Sequence, residues 1–216
     1  MAGSKVVECI GPSFHLADRK AAIQTAVNCF PQRLDGDNWM MKSAPGVQVN
    51  NSVMVRGSIV IDDRWFIAGG PSGDQLYEVD RAGNFVSRGA LSSSTGFVGM
   101  AVNESQVAIV DGSSLYVYDY TTQTFTGPIF SPGWRGSDDV MQMDGYFIFV
   151  APGTQQFYIS AIDDATNLNA LDFSSADSSP DNIMTHRVSH RQLWLFGKSN
   201  STEIWVDSGA SDFPFV

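Results

Sequence analysis

Four times along this chain an apolar run closes on a turn residue and is answered, a few positions later, by a second apolar run. The first members are "RWFIAGG" at 64–70, "QVAIVDG" at 106–112, "YFIFVAPG" at 146–153 and "QLWLFGK" at 192–198. Their partners are "QLYEVD", "SLYVYDY", "QFYISAI" and "TEIWVDS". Short apolar runs bounded by Gly, Asn, Asp and Ser read as buried strands joined by tight turns. A further strand precedes each pair, in "VMVRGSIVI", "FVGMAVN", "DDVMQM" and "DNIMTHRVS", and a fourth follows two of them, in "NFVSRGAL" and "TFTGPIF". With Phe66, Ala108, Ile148 and Leu195 taken as equivalent, the units are 42, 40 and 47 residues apart. A four-stranded unit repeated at 40–47 residues predicts an all-β chain built as a β-propeller. Sandwiches and barrels also space their hairpins evenly, but here the unit repeats as a whole.

The repeat divides the chain. Residues 51–216 read as propeller blades, four of which are visible. Residues 1–50 do not repeat and read as an N-terminal arm. Within the arm, "AAIQTAVNCF" alternates as a strand would, although Leu16, Ile23, Val27 and Phe30 also fit a helical face. The turn-rich "PQRLDGDNW" follows. At the other end the chain stops on the apolar "DFPFV", where a polar, frayed tail is usual. The expectation is that Phe213, Phe215 and Val216 pack under a further blade, supplied by a longer polypeptide or by a second one.

Charge narrows the partners. Against 13 Lys and Arg stand 23 Asp and Glu, a net charge of −10. Tight nucleic-acid binding depends on neutralising phosphates with basic side chains, so the charge argues against a protein that grips DNA. One that surrounds DNA with a repelling wall is not. No run approaches 18 apolar residues, so no helical membrane anchor is expected, and the start lacks the apolar stretch of an export signal. Cys9 and Cys29 are the only cysteines, expected as free thiols in a reducing compartment.

The residues that could carry catalysis do not assemble into a pattern. "GKS" at 197–199 resembles a phosphate loop, but position 192 is Gln where that loop needs Gly. His186 and His190 would lie roughly 13 Å apart along a strand, too far to share a zinc ion. The acidic pairs Asp62–Asp63, Asp138–Asp139 and Asp163–Asp164 point apart in strands or turns. No catalytic residue, metal ligand or cofactor is expected. Trp65, Trp194 and Trp205 fall inside predicted strands and read as core. Trp134, beside Arg135 in "SPGWRGSDD", falls in a loop, and such pairs are enriched at interfaces; the alternative is a Trp folded back over the rim.

Three stretches, in this order, resemble the packaged-DNA stabilisation proteins of short-tailed bacteriophages, the tail hub or head-completion family. They are "AVNCFPQ" with "KSAPGV", then "LWLFGKSNSTEIWVDSG", then "DFPF". The resemblance implies a β-propeller fold and a structural role in the virion tail, assembled in the bacterial host cytoplasm. It implies a ring, of six copies, below the portal and its adaptor, that continues the DNA channel, retains the genome and docks the tail needle and tailspikes. DNA would pass without sequence-specific binding. Family chains are about twice as long, and the segment around "DFPF" falls near their middle. Candidate protein contacts on this reading are Phe30, Pro31, Trp39 and Pro45 in the arm, Trp134 and Arg135 between blades, and Phe213 and Phe215 at the end. The competing reading is a propeller that binds or hydrolyses a glycan or small ligand at its mouth, with Asp63, Asp111 and Asp144 converging there.

Overall fold

A computed structural model describes residues 29–33, 39–43 and 54–216. The chain divides into two compact units, Met1–Val49 and Asn50–Val216. In the first, β1 (Cys29–Arg33) and β2 (Trp39–Ser43) form an antiparallel hairpin in which Arg33 faces Trp39 and Phe30 faces Lys42. The predicted turn-rich segment 31–39 therefore begins within β1 and ends on the first residue of β2, while most of the strand expected over 21–30 lies outside the described residues.

The second unit holds the repeats. Blade 1 is β3 (Met54–Ile61), β4 (Arg64–Gly70), β5 (Gln75–Val79) and β6 (Phe85–Ala90). Blade 2 is β7 (Gly99–Val102), β8 (Gln106–Val110), β9 (Leu115–Asp119) and β10 (Thr124–Thr126). Blade 3 is β11 (Val140–Met143), β12 (Tyr146–Val150), β13 (Gln156–Ile159) and β14 (Phe173–Ser175). Blade 4 is β15 (Ile183–Ser189), β16 (Gln192–Gly197) and β17 (Thr202–Val206). Each sheet is an antiparallel meander in chain order. The first strands touch in succession, β3 on β7, β7 on β11 and β11 on β15, so they form the inner edge of the assembly of blades. The all-β propeller architecture is as the repeat predicts.

Turn chemistry sets the register. The turn between the first two strands of blades 1, 3 and 4 has two residues, Asp62–Asp63, Asp144–Gly145 and His190–Arg191, with positive φ at Asp62, Asp144, Gly145, His190 and Arg191. Left-handed residues match the twist of a hairpin. In blade 2 the Asn103 side-chain oxygen instead accepts from the amides of Ser105 and Gln106. Counting from these turns corrects one equivalence. Trp194, not Leu195, corresponds to Phe66, Ala108 and Ile148, because each is the third residue of the second strand of its blade.

The alternation along each strand splits its apolar residues between two faces, and the faces meet as seams. Phe66, Ala68 and Leu76 of blade 1 pack on Val107, Ile109, Tyr116 and Tyr118 of blade 2. Val110, Leu115 and Val117 pack on Phe147, Phe149 and Tyr158 of blade 3. Ile148, Val150 and Phe157 pack on Leu193 and Leu195 of blade 4. Aromatic pairs run through the seams, with Phe149 and Tyr158 stacked at 5.3 Å and Phe157 edge-on to Trp205 at 5.0 Å. Each buried Phe contributes about 2–3 kcal/mol. Between blades 1 and 2 the inner strands come so close that a Cβ on Gly57 would lie 2.1 Å from the Val98 carbonyl oxygen.

The end of the chain returns to its own blade. Val206 and Val216 exchange both backbone hydrogen bonds, at 2.9 and 3.0 Å, and the Ser208 amide donates to the Pro214 carbonyl. This places Phe215 in the seam between blades 3 and 4, where it is 2% exposed and contacts Tyr146, Phe157 and Phe213. The expectation that Phe213 and Phe215 wait for a further blade is corrected. Phe213 is half-buried against the same seam, and only Val216, 63% exposed, faces outward.

Candidate functional site

Within a meander the turns after the first and third strands lie at the same end. Contacts between blades show that these ends coincide. Arg64, beginning β4, donates to the Tyr120 carbonyl of blade 2; Gln106 of blade 2 accepts from the Ala165 amide of blade 3; Arg191 of blade 4 pairs with Asp144 of blade 3 at 3.1 Å. Asp62, Asp63, Glu104, Asp144, Asp163, Asp172, Asp207 and Asp212 all belong to the segments at this end, with Arg64, Arg81 and Arg191 as the opposing cations.

Two hollows open there and share Asp144. One, about 570 Å³, is lined by Ile61, Val102, Asn103, Glu104, Gln142, Asp144, Gly145 and Asp163. The other, about 780 Å³, is lined by residues that include Asp144, Tyr146, Asp172, Asp207, Asp212 and Pro214. Neither lining includes a Lys or Arg. Clustered carboxylates of this kind produce a negative potential that repels phosphates. They are spread among distant turns of the sequence, and the signal that could have found them is their recurrence at the same turn of each repeat.

The three aspartates considered as a ligand mouth do not converge. Asp63 and Asp144 lie at the acidic end, paired with Arg81 and Arg191. Asp111 follows β8 at the opposite end, where it accepts from Ser93, Ser114 and the Tyr116 hydroxyl. Among the described residues no three His, Cys, Asp or Glu are grouped to hold a metal.

The phosphate-loop likeness has a physical content. The turn 198–201 does cradle an anion, and the anion is Asp181. Its carboxylate accepts from the amides of Ser199 at 2.9 Å, Asn200 at 3.3 Å and Ser201 at 3.4 Å, and from the Ser201 hydroxyl. These bonds, with that of Ser199 first, hold its pKa down to about 2. The position is filled from within the chain.

His186 is buried at 1% exposure, with its Nε2 3.1 Å from the carbonyl oxygen of Ile148. Trp134 is half-buried, edge-on to Phe149 and Tyr158, with its indole N–H donated to the Ser113 carbonyl. Arg135 donates to Gln156 and to the Ala170 carbonyl and lies 4.1 Å from the Phe173 ring centre. Arg135 is engaged within blade 3, and Trp134 bridges blade 3 to the β8–β9 turn of blade 2, the folded-back alternative. Trp205 is half-buried on a seam, whereas Trp65 is 43% exposed, on the face of blade 1 turned away from blade 2. Of the arm candidates, Phe30 and Pro31 lie on β1 and Trp39 opens β2; Pro45 lies outside the described residues. A feature sequence reasoning missed is Arg56, whose buried guanidinium donates to the carbonyls of Gly73, Ser93, Thr95 and Gly96 and to the Ser93 hydroxyl.

Residues 24–216 match the family model for Phage_stabilise, described as bacteriophage P22 Gp10, beta-propeller. The chain belongs to this family. Its members are phage structural proteins that stabilise packaged DNA, and the propeller this implies is the architecture built above. No curated protein sequence matches the chain. Among solved structures, the computationally designed Ika4 protein is similar at 10% identity and a TM-score of 0.52, over 73% of this chain and 93% of that one. The designed Ika8 protein is similar at 10% identity and 0.53, over 84% of this chain and 56% of that one. BamB from Moraxella catarrhalis is similar at 14% identity and 0.49, over 71% of this chain and 45% of that one. The chain thus spans about half the length of the longer of these structures. At such identities the likeness is one of fold.

Proposed function

We propose that this chain is a subunit of a phage tail hub, one of six copies in a ring below the portal and its adaptor that continues the DNA channel and keeps the packaged genome in place. The observation that carries this reading is the family match over residues 24–216. The mechanism is geometric. Blades locked by aromatic seams are stiff wedges, and a closed ring of such wedges holds a channel open. The acidic end supports it, because a carboxylate-lined surface lets a duplex pass without adhering. In this reading the hairpin-bearing arm makes the contacts between subunits and to the adaptor, while needle and tailspikes dock on outward surfaces.

The test is a phage from which the gene is deleted and then restored on a plasmid. Without it, heads fill and then lose nuclease-protected DNA; with it, protection returns. Particles that retain a full genome in its absence would overturn the reading.

A further inference from the structure

The smaller of the two hollows at the acidic end opens on the inner edge of the blades. Ile61 and Val102 end the first strands of blades 1 and 2, and Gln142 stands one residue before the end of that of blade 3. Glu104, Asp144 and Asp163 reach it from the turns and loops beyond. Arg191 pairs with Asp144. Among the described residues the side chains of Glu104, Gln142 and Asp163 have no hydrogen-bonding or ionic partner.

An acidic rim by itself is only a solvated surface. Asn103, which also lines the hollow, is different, being 7% exposed. Its Oδ1 accepts from the amides of Ser105 and Gln106 at 3.0 and 2.6 Å, and these two bonds fix which end of the carboxamide is oxygen. Its backbone N–H donates to the Gln106 carbonyl, and its carbonyl accepts from the Tyr120 hydroxyl at 2.7 Å. Nδ2 is left as a buried donor with no partner, the one polar group of Asn103 that the fold does not use. Such donors are uncommon in folded chains.

The donor set selects the chemistry of a ligand. A cation would answer the carboxylates but has no lone pair for Nδ2, and among the described residues no three acidic groups are placed to hold a metal. A phosphate would answer Nδ2 but is repelled by the carboxylates. A hydroxyl does both, since its O–H donates to a carboxylate while its oxygen accepts from an amide. Gln142 offers a donor and an acceptor together, and Ile61 and Val102 supply apolar surface for a C–H face. The volume, about 570 Å³, is that of a small-molecule site. We propose that this hollow binds a neutral, polyhydroxylated ligand, a sugar or sugar-like polyol, with Asn103 Nδ2 donating to one hydroxyl and Glu104 and Asp163 accepting from its neighbours. Asp63 and Asp111 have no part in it. The inference does not rest on the virion role.

The test is saturation-transfer NMR on the purified 216-residue chain. The probes are the free methyl glycosides of glucose, galactose, mannose and N-acetylglucosamine, with a printed array of neutral oligosaccharides beside them. A signal from at least one free glycoside is expected; array binding as well would make a surface glycan the source, and its absence a soluble sugar. Asn103→Asp keeps the oxygen that closes the turn and removes the Nδ2 donor. Asp163→Asn changes an exposed side chain at a φ of 56°, which Asn adopts, so this variant keeps its fold. Each should weaken binding about 10-fold, as the loss of one hydrogen bond involving a charged or buried group does. Silence from every sugar overturns the proposal, whether or not Mg²⁺ or spermidine binds. So does a signal that both substitutions leave unchanged.

Discussion

The imidazole Nε2 of His186 lies 3.1 Å from the carbonyl oxygen of Ile148, across the seam between blades 3 and 4. A neutral ring donating there satisfies a carbonyl that the seam removes from water. Burial pulls the His186 pKa from its ordinary 6.5 down to about 4, against the opposing pull of the nearby Asp139 carboxylate.

The consequence is acid lability in a defined window. Between pH 6.5 and about 4 the unfolded chain binds a proton at this position that the folded chain does not, so stability falls as pH falls. The full loss is about 3 kcal/mol, complete below about pH 4. Urea unfolding midpoints measured across pH 4–7 should drop accordingly, and His186→Gln should flatten that slope. An unchanged slope in the variant would assign the effect elsewhere.

Among the described residues Arg56 binds two loops without a carboxylate partner. Its guanidinium meets the carbonyls of Gly73, Ser93, Thr95 and Gly96 at 2.8, 2.7, 2.5 and 2.9 Å. Arg56→Met leaves these acceptors without a donor and should cost about 2–5 kcal/mol in chemical denaturation. A cost below about 1 kcal/mol would mean that water replaces the guanidinium.

Phe215 and Val216 are adjacent and should behave oppositely. Phe215→Ala empties part of the seam and should destabilise by about 3–5 kcal/mol. Val216→Ala, at an outward position, should stay within about 0.5 kcal/mol. Equal effects at the two positions would contradict the return of the chain along β17.

Deleting residues 1–45 tests the arm. On the proposed hub role, the blades should retain their far-ultraviolet circular dichroism and their unfolding midpoint, while the proposed six-copy rings are lost from assembled tails. Rings that survive the deletion would remove the arm from the subunit contact.

The hairpins were legible because each is a buried run bounded by residues that favour turns. Parity was legible only where one face is clearly distinguished. In "QLWLFG" four consecutive residues, Leu193 to Phe196, are apolar, so alternation cannot say which pair faces blade 3, and the equivalence slipped by one. Trp65 reads as core from sequence for the same reason, its strand being apolar on both sides. β14, "FSS", carries almost no apolar signal and follows a long loop, so its pairing with β13 could not be seen. Arg56 was invisible because its partners are backbone carbonyls, which no residue pattern announces. The acidic end required the register of all four blades before turns distant in sequence could be placed together.

The seams also decide how the molecule comes apart. Among the described residues, blades 2 and 3 are each packed by a neighbouring blade on two sides, blades 1 and 4 by a neighbouring blade on one. Stability in such a stack is a sum over neighbours, so protection of backbone amides against solvent exchange peaks in the middle pair and declines outward. A row of this kind frays from its ends, whereas a closed circle has no end from which to fray.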